Sequence, residues 1–199
     1  MNADRYRTLG GRSAGIHRIL ASKFIAYAFP IPNEEAFRTE AEWIAKEHPT
    51  ARHHCYGWVL DNTGGRFRAS DDGEPNGTAG KPILRQLQAL DLTYCAVVVV
   101  RYFGGTLLGK PGLIHAYGET ARLALAEASI IERVVMERWT LECGYDRFDV
   151  VKSDILLNEG IVLECTFNER CSVEFELPIG HLPVLEAKWG LLGIRVAPR

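Results

Sequence analysis

Tyr94-Cys95-Ala96-Val97-Val98-Val99-Val100-Arg101-Tyr102-Phe103-Gly104-Gly105 decides how this chain is read. Four consecutive valines do not alternate between core and solvent, so Tyr94–Arg101 reads as a buried strand. Its carboxyl end opens into a glycine-rich loop over residues 103–112, a common position for binding loops in open sheets. Beyond the loop, Leu113, Ala116, Tyr117, Thr120, Ala124 and Ala128 fall at helical spacing and predict a long helix with a small-residue face. Before the strand, Pro82 sits where a helix starts, and that helix runs to about Leu90. Farther upstream, Cys55–Leu60 and Arg66–Ser70 form a hairpin around Asp61-Asn62-Thr63-Gly64-Gly65. Asn33 caps a helix that carries Phe37, Ala41, Ile44 and Ala45 on one face, with Glu34 and Glu35 at its positive end, and Pro49 ends the run. Phe24–Ile31 is β-rich, and Tyr6–Leu9 and Ile16–Leu20 are candidate strands before it.

Past residue 130 the character of the chain changes. Residues 1–130 hold 15 basic and 13 acidic side chains, a net of +2, whereas residues 131–199 hold 8 and 12, a net of −4. The second part reads strand (134–143), helix (145–158), strand (161–167), strand (171–177), helix (179–189), strand (192–196), which is the ferredoxin-like βαββαβ order. In Ser172-Val173-Glu174-Phe175-Glu176-Leu177 the alternation turns Val173, Phe175 and Leu177 inward and both glutamates outward. The reading is therefore an α+β protein of two domains, 1–130 and 131–199.

Composition narrows the class. Of 199 residues, 47% are hydrophobic and 24% charged, which is globular and argues against disorder. The longest apolar run, Tyr94–Val100, is far short of the ~20 residues of a membrane span. No apolar stretch follows the early arginines as in a signal peptide. The five cysteines are odd in number and contain no Cys-x-x-Cys, so free thiols in a cytoplasmic protein are expected. Cys165 and Cys171 lie symmetrically about Asn168 and are placed to face each other across a hairpin.

Two loops hold the unusual chemistry. In Ser70-Asp71-Asp72-Gly73-Glu74-Pro75-Asn76-Gly77-Thr78-Ala79-Gly80-Lys81-Pro82, three acids within four positions and three glycines lead into a helix start. Three readings stay open. Asp71, Asp72 and Glu74 suit a hard cation such as Mg²⁺. Gly77, Thr78 and Gly80 suit an anion at a helix N-terminus. A capped turn, in which aspartates hold their own backbone, needs no ligand. In the second loop, Arg101 and Lys110 suit phosphates, Tyr102 and Phe103 suit stacking on bases, and Gly104 and Gly105 allow close backbone approach. The plain alternative is that the aromatics are core and the glycines only form turns. His53 and His54, being adjacent, point to opposite faces of a strand and cannot share an ion. Spacing alone assembles no Ser/His/Asp or Cys/His set, and no cofactor is implied beyond a possible Mg²⁺.

Taken together, the two loops resemble the IMPACT/YigZ family. The match is carried by Ser70-Asp71-Asp72-Gly73-Glu74-Pro75-x-Gly77-Thr78-Ala79-Gly80-x-Pro82 and by Arg101-Tyr102-Phe103-Gly104-Gly105-x-x-Leu108-Gly109. His53-x-Cys55, Gly112-Leu113-x-x-Ala116-Tyr117, Tyr6-Arg7-Thr8-Leu9 and Ser22-Lys23-Phe24-Ile25-Ala26 extend it. The sequence departs from the family at His115, where a basic residue is common, and at Lys110-Pro111. The resemblance implies a first domain like the second domain of a small-subunit ribosomal protein, and a second like the ferredoxin-like last domain of elongation factor G. Those fold relatives, the basic and aromatic second loop and the lack of an assembled catalytic set together point to a non-catalytic, translation-associated regulator that contacts RNA or the ribosome through its first domain. Sequence-specific DNA binding and membrane association are not expected. The alternative is a Mg²⁺-dependent enzyme acting on a phosphorylated small molecule, with the acids on the metal and Arg101 or Lys110 on phosphate. The two loops are expected to meet in one site.

Overall fold

A computed structural model describes residues 5–199 as a mixed α+β protein. The chain divides into two compact units, with the division between Arg133 and Val134.

In the first unit the strands are β1 (Arg5–Leu9), β2 (Ser13–Ile19), β3 (Ser22–Pro30), β4 (His53–Leu60), β5 (Arg66–Ser70) and β6 (Cys95–Tyr102). The helices are α1 (Glu34–Glu47), α2 (Gly80–Ala89) and α3 (Gly109–Ala126). Five strands make one antiparallel sheet in the order β2-β3-β6-β4-β5, so the valine strand lies at its centre. β1 pairs separately with β7 (Ile130–Val134), the strand that runs across the division. Both faces of β6 are covered. Cys95, Val97 and Val99 pack with Ile83, Leu87, Tyr117 and Ala121 of α2 and α3. Ala96, Val98 and Val100 pack with Phe37 and Ile44 of α1. The Asn33 side chain accepts a bond from the Ala36 amide at 2.9 Å, as the capping pattern requires.

The third helix begins earlier than periodicity predicts, because Lys110 and Pro111 lie within its first turn. There a missing proline N–H costs nothing. The second loop is thus shortened to residues 103–108.

The second unit contains β8 (Met136–Cys143), α4 (Phe148–Leu157), β9 (Ile161–Phe167), β10 (Cys171–Pro178), α5 (Leu182–Gly190) and β11 (Arg195–Pro198). The strand order β11-β8-β10-β9, antiparallel throughout, is that of a ferredoxin-like unit. Val173, Phe175 and Leu177 are fully buried with Val151, Ile155 and Trp189. Buried Asp154 joins its two helices: one oxygen accepts from Lys188 Nζ at 2.6 Å and the other from Trp189 Nε1 at 2.9 Å. The last strand starts at Arg195 rather than at residue 192, because Leu192 and Gly193 turn back onto Trp189 and Gly190, with Gly193 at φ +71°.

Two side-chain expectations change here. Glu174 does point to the outer face, yet it is only 5% exposed, because Arg138 and Arg199 both close over its carboxylate. Cys165 stands opposite Val173, and the partner across from Cys171 is Phe167 on one side and Cys143 on the other.

Close packing of α2 on β4 requires glycine at position 57, where a Cβ would lie 2.8 Å from the Leu84 amide nitrogen. Gly57→Ala is expected to lower stability by about 1–3 kcal/mol in urea unfolding. Gly11→Ala, with nothing within 4 Å of its Cβ, is expected to stay within about 0.5 kcal/mol of the parent.

Candidate functional site

Strand parity fixes what Arg101 can reach. It follows Val97 and Val99 on the α2/α3 face of β6, and its side chain is 6% exposed. Its Nη1 donates to Glu74 Oε1 at 2.6 Å, and the Tyr117 hydroxyl of α3 donates to the same oxygen at 2.7 Å. The guanidinium lies 5.4 Å from the ring centroids of both Phe24 and Phe103. Burial pushes the Tyr117 phenol well above its ordinary acidity range, so it stays protonated as a donor. The first loop, the central strand and the third helix therefore meet at one buried carboxylate.

The rest of the first loop is bound just as fully. Asp71 Oδ1 accepts from the amides of Ala79 and Gly80, each at 2.9 Å, and Oδ2 accepts from Gly77 at 2.8 Å. Thr78 turns both its amide and its hydroxyl to the Pro75 carbonyl. The His54 amide donates to Asp72 Oδ2 at 2.6 Å, and His53 Nδ1 donates to the Asp72 carbonyl at 2.7 Å. The Cys55 thiol donates to the Asp71 carbonyl at 3.0 Å, and burial raises its pKa, keeping it a thiol. His53, His54 and Cys55 thus clamp the loop from β4.

These bonds change the sequence-based assignments. One of the three open readings of the first loop set Asp71, Asp72 and Glu74 on Mg²⁺. Instead each carboxylate is held by protein donors, and among the described residues no group of three His, Cys, Asp or Glu side chains is arranged to hold a metal ion. Gly77, Thr78 and Gly80 were expected to offer amides to an anion, but Asp71 and Pro75 already occupy them. Arg101 is committed to Glu74 and is not an outward phosphate contact. Tyr102 faces α1, where its hydroxyl is 2.7 Å from His48 Nδ1, while His48 Nε2 is 2.7 Å from the Tyr27 hydroxyl.

What remains open to solvent is the second loop and its flank. Phe103 is 49% exposed and Leu107 is 85% exposed, and Lys110 projects from the first turn of α3. Gly104 lets the loop lie on the β2–β3 turn, since a Cβ there would stand 2.0 Å from the Ala21 carbonyl carbon. Its amide donates to Ser22 Oγ at 3.2 Å. That contact brings Arg18 and Lys23, cross-strand neighbours on β2 and β3, to the same end of the sheet. Lys23 is in turn the neighbour of Tyr102 on β6. Residues 16–24 and 101–118 contain no aspartate or glutamate. Arg18 lies in no quoted motif, and the Ser22–Ala26 stretch gives Lys23 no role; the register that delivers them is invisible without the pairing of β2, β3 and β6.

Two outcomes follow from this bonding. Arg101→Ala leaves Glu74 as an unpaired buried charge and is expected to cost about 3–5 kcal/mol of stability, measured by chemical denaturation. Burial raises the Asp71 carboxyl, but the amides of Gly77, Gly80 and Ala79, with Lys81, outweigh it and hold the pKa below its ordinary value. A depressed carboxyl contributes fully above its unfolded-state pKa of 3.8, and the contribution is lost as pH falls through the folded value. Asp71→Asn is expected to lose about 2 kcal/mol at neutral pH and to flatten the fall in stability below pH 3.8.

Comparison with known proteins bears on the family. The model of the Impact N-terminal domain matches residues 20–125, which span both loops. The chain is 33% identical to IMPACT family member YigZ of Escherichia coli over 175 residues, covering 87% of this chain and 86% of that protein. It is 33% identical to IMPACT family member YvyE of Bacillus subtilis over 83% of this chain and 76% of that one. An IMPACT family member of Haemophilus influenzae is 40% identical over 67% and 66% of the two chains. A crystal structure of a hypothetical protein superposes with a TM-score of 0.74 at 29% identity, covering 98% of each chain. With the loop motifs, the fold and these relatives in agreement, the chain belongs to the IMPACT family.

Proposed function

We propose that this protein is a non-catalytic, translation-associated regulator that contacts RNA or the ribosome through its first unit. The contact surface is the loop Phe103–Leu108, the first turn of α3 and the adjoining β2–β3 turn. One observation carries the reading: the half-exposed Phe103, whose ring lies by the Arg101 guanidinium, and the cations Arg18, Lys23 and Lys110 all belong to two segments without acidic residues that meet at the Gly104–Ser22 contact. Cations attract phosphates and the ring offers a sequence-tolerant stacking platform. A cytoplasmic place follows from that role, and no described helix is long and apolar enough to cross a membrane.

The absence of catalysis rests on where the polar groups are spent. The acids and the arginine that a phosphate-transferring enzyme would use already bind one another or the backbone. The second unit, with 12 acidic against 8 basic residues after position 130, contributes little to phosphate binding.

The test is titration of ribosomal RNA or intact ribosomes at two salt concentrations. The Lys23→Ala, Lys110→Ala double variant is expected to bind more weakly at all sequences. Its salt dependence should be shallower by about 0.7–0.9 log units per lost phosphate contact. Phe103→Ala is expected to cost about 1–3 kcal/mol of binding with the fold intact. Parent and double variant binding equally at both salts would refute the proposal.

A further inference from the structure

Cys143 closes β8 and Cys171 opens β10, and the antiparallel register sets the two directly opposite each other. Directly opposed residues in such a pair have Cα atoms roughly 4.5 or 5.5 Å apart, both inside the roughly 4.4–6.8 Å range of a disulfide. Both side chains are fully buried on the helix-facing side of the sheet. Cys165, the other thiol of this unit, is only half-buried but faces Val173.

We propose that Cys143 and Cys171 are a modification site: a thiol pair that hydrogen peroxide converts to a reversible disulfide. One cysteine, as thiolate, attacks a peroxide oxygen; an S–O bond forms, the O–O bond breaks and hydroxide leaves. The second thiolate then attacks that sulfur, forming S–S and breaking S–O, and a second hydroxide leaves. The two thiol protons convert the hydroxides to water. In sum, two thiols are oxidised to one disulfide while one peroxide is reduced to two waters.

The surroundings select the oxidant. A buried pair excludes bulky disulfides, whereas a small neutral peroxide needs only fraying at the strand ends. Those ends are near at hand, since Gly144 follows Cys143 and the turn at residues 168–170 precedes Cys171. Burial keeps the Cys143 thiol above its ordinary value, with the Arg170 charge acting in the opposite sense. The bond would join the ends of residues 143–171, tying α4 and β9 to the sheet.

Mass spectrometry of the full chain tests this. Native protein is treated with hydrogen peroxide, quenched with catalase, alkylated after denaturation and digested without reductant. The expected product is a peptide pair linked through Cys143 and Cys171, with two of the five thiols lost to alkylation and recovered by dithiothreitol. Cys165→Ser should keep the link, and Cys143→Ser should abolish it. A bond between Cys165 and Cys171, oxidation confined to Cys165, or five alkylatable thiols after treatment would each overturn the assignment.

Discussion

A single oxygen, Glu74 Oε1, accepts from both Arg101 and Tyr117, and three segments far apart in sequence are positioned by that shared acceptor. Burying a carboxylate and a guanidinium costs several kcal/mol per ion before their attraction is counted. The cost is offset only where geometry holds the two together and further donors fill the remaining lone pairs, as the Tyr117 hydroxyl does here. Such a pair contributes little net stability relative to an apolar substitute. Its contribution is positional, because Glu74 meets both Arg101 and Tyr117 only when the first loop lies against β6 and α3. The loop's acidic and glycine-rich sequence, which has no apolar side chain to bury before Ala79, thereby acquires one fixed conformation.

Asp71 completes that brace. The first amides of a helix form an anion site by default, and here the anion is supplied from within the chain. A carboxylate on three amides is held below its ordinary pKa, so the site carries its negative charge at neutral pH and a phosphate would have to displace it. With the first loop filled from inside, the proposed RNA contact is left to the second loop. Gly104 and the β2–β3 turn hold that loop against the sheet edge, with Phe103 left open.

Much of this was legible in the sequence, and the gaps have physical causes. The alternation around Phe175 named the inward residues of β10 because one face of that sheet is solvated and the period-two pattern is clean. The same rule applied to β6 would have buried Arg101, since it shares the parity of Val97 and Val99 on a strand covered on both sides. Charge and the adjacent glycines drew the reading outward instead. Glu174 escaped for a different reason. Its direction was correct, but its burial depends on Arg138 from β8 and on Arg199 beyond β11, which no local pattern reveals. The thiol pairing failed because the hairpin is centred one residue past Asn168, which sets Phe167 opposite Cys171 and Cys165 opposite Val173.

Net charge was the weakest guide of all, and the ion pairs show why. In the first unit Arg12 pairs with Glu40, Arg38 and Arg66 with Glu34, Arg101 with Glu74, and Arg122 with Glu119. Arg18, Lys23 and Lys110 make no ion pair among the described residues and lie in acid-free segments. A net of +2 for residues 1–130 therefore conceals a surface in which five arginines are neutralised locally, while Arg18, Lys23 and Lys110 keep their charge in segments without acids. An approaching phosphate responds to that local arrangement, because beyond about 8–10 Å physiological salt screens the rest. Pairing, rather than the sum of charges, determines which part of this chain can meet a polyanion.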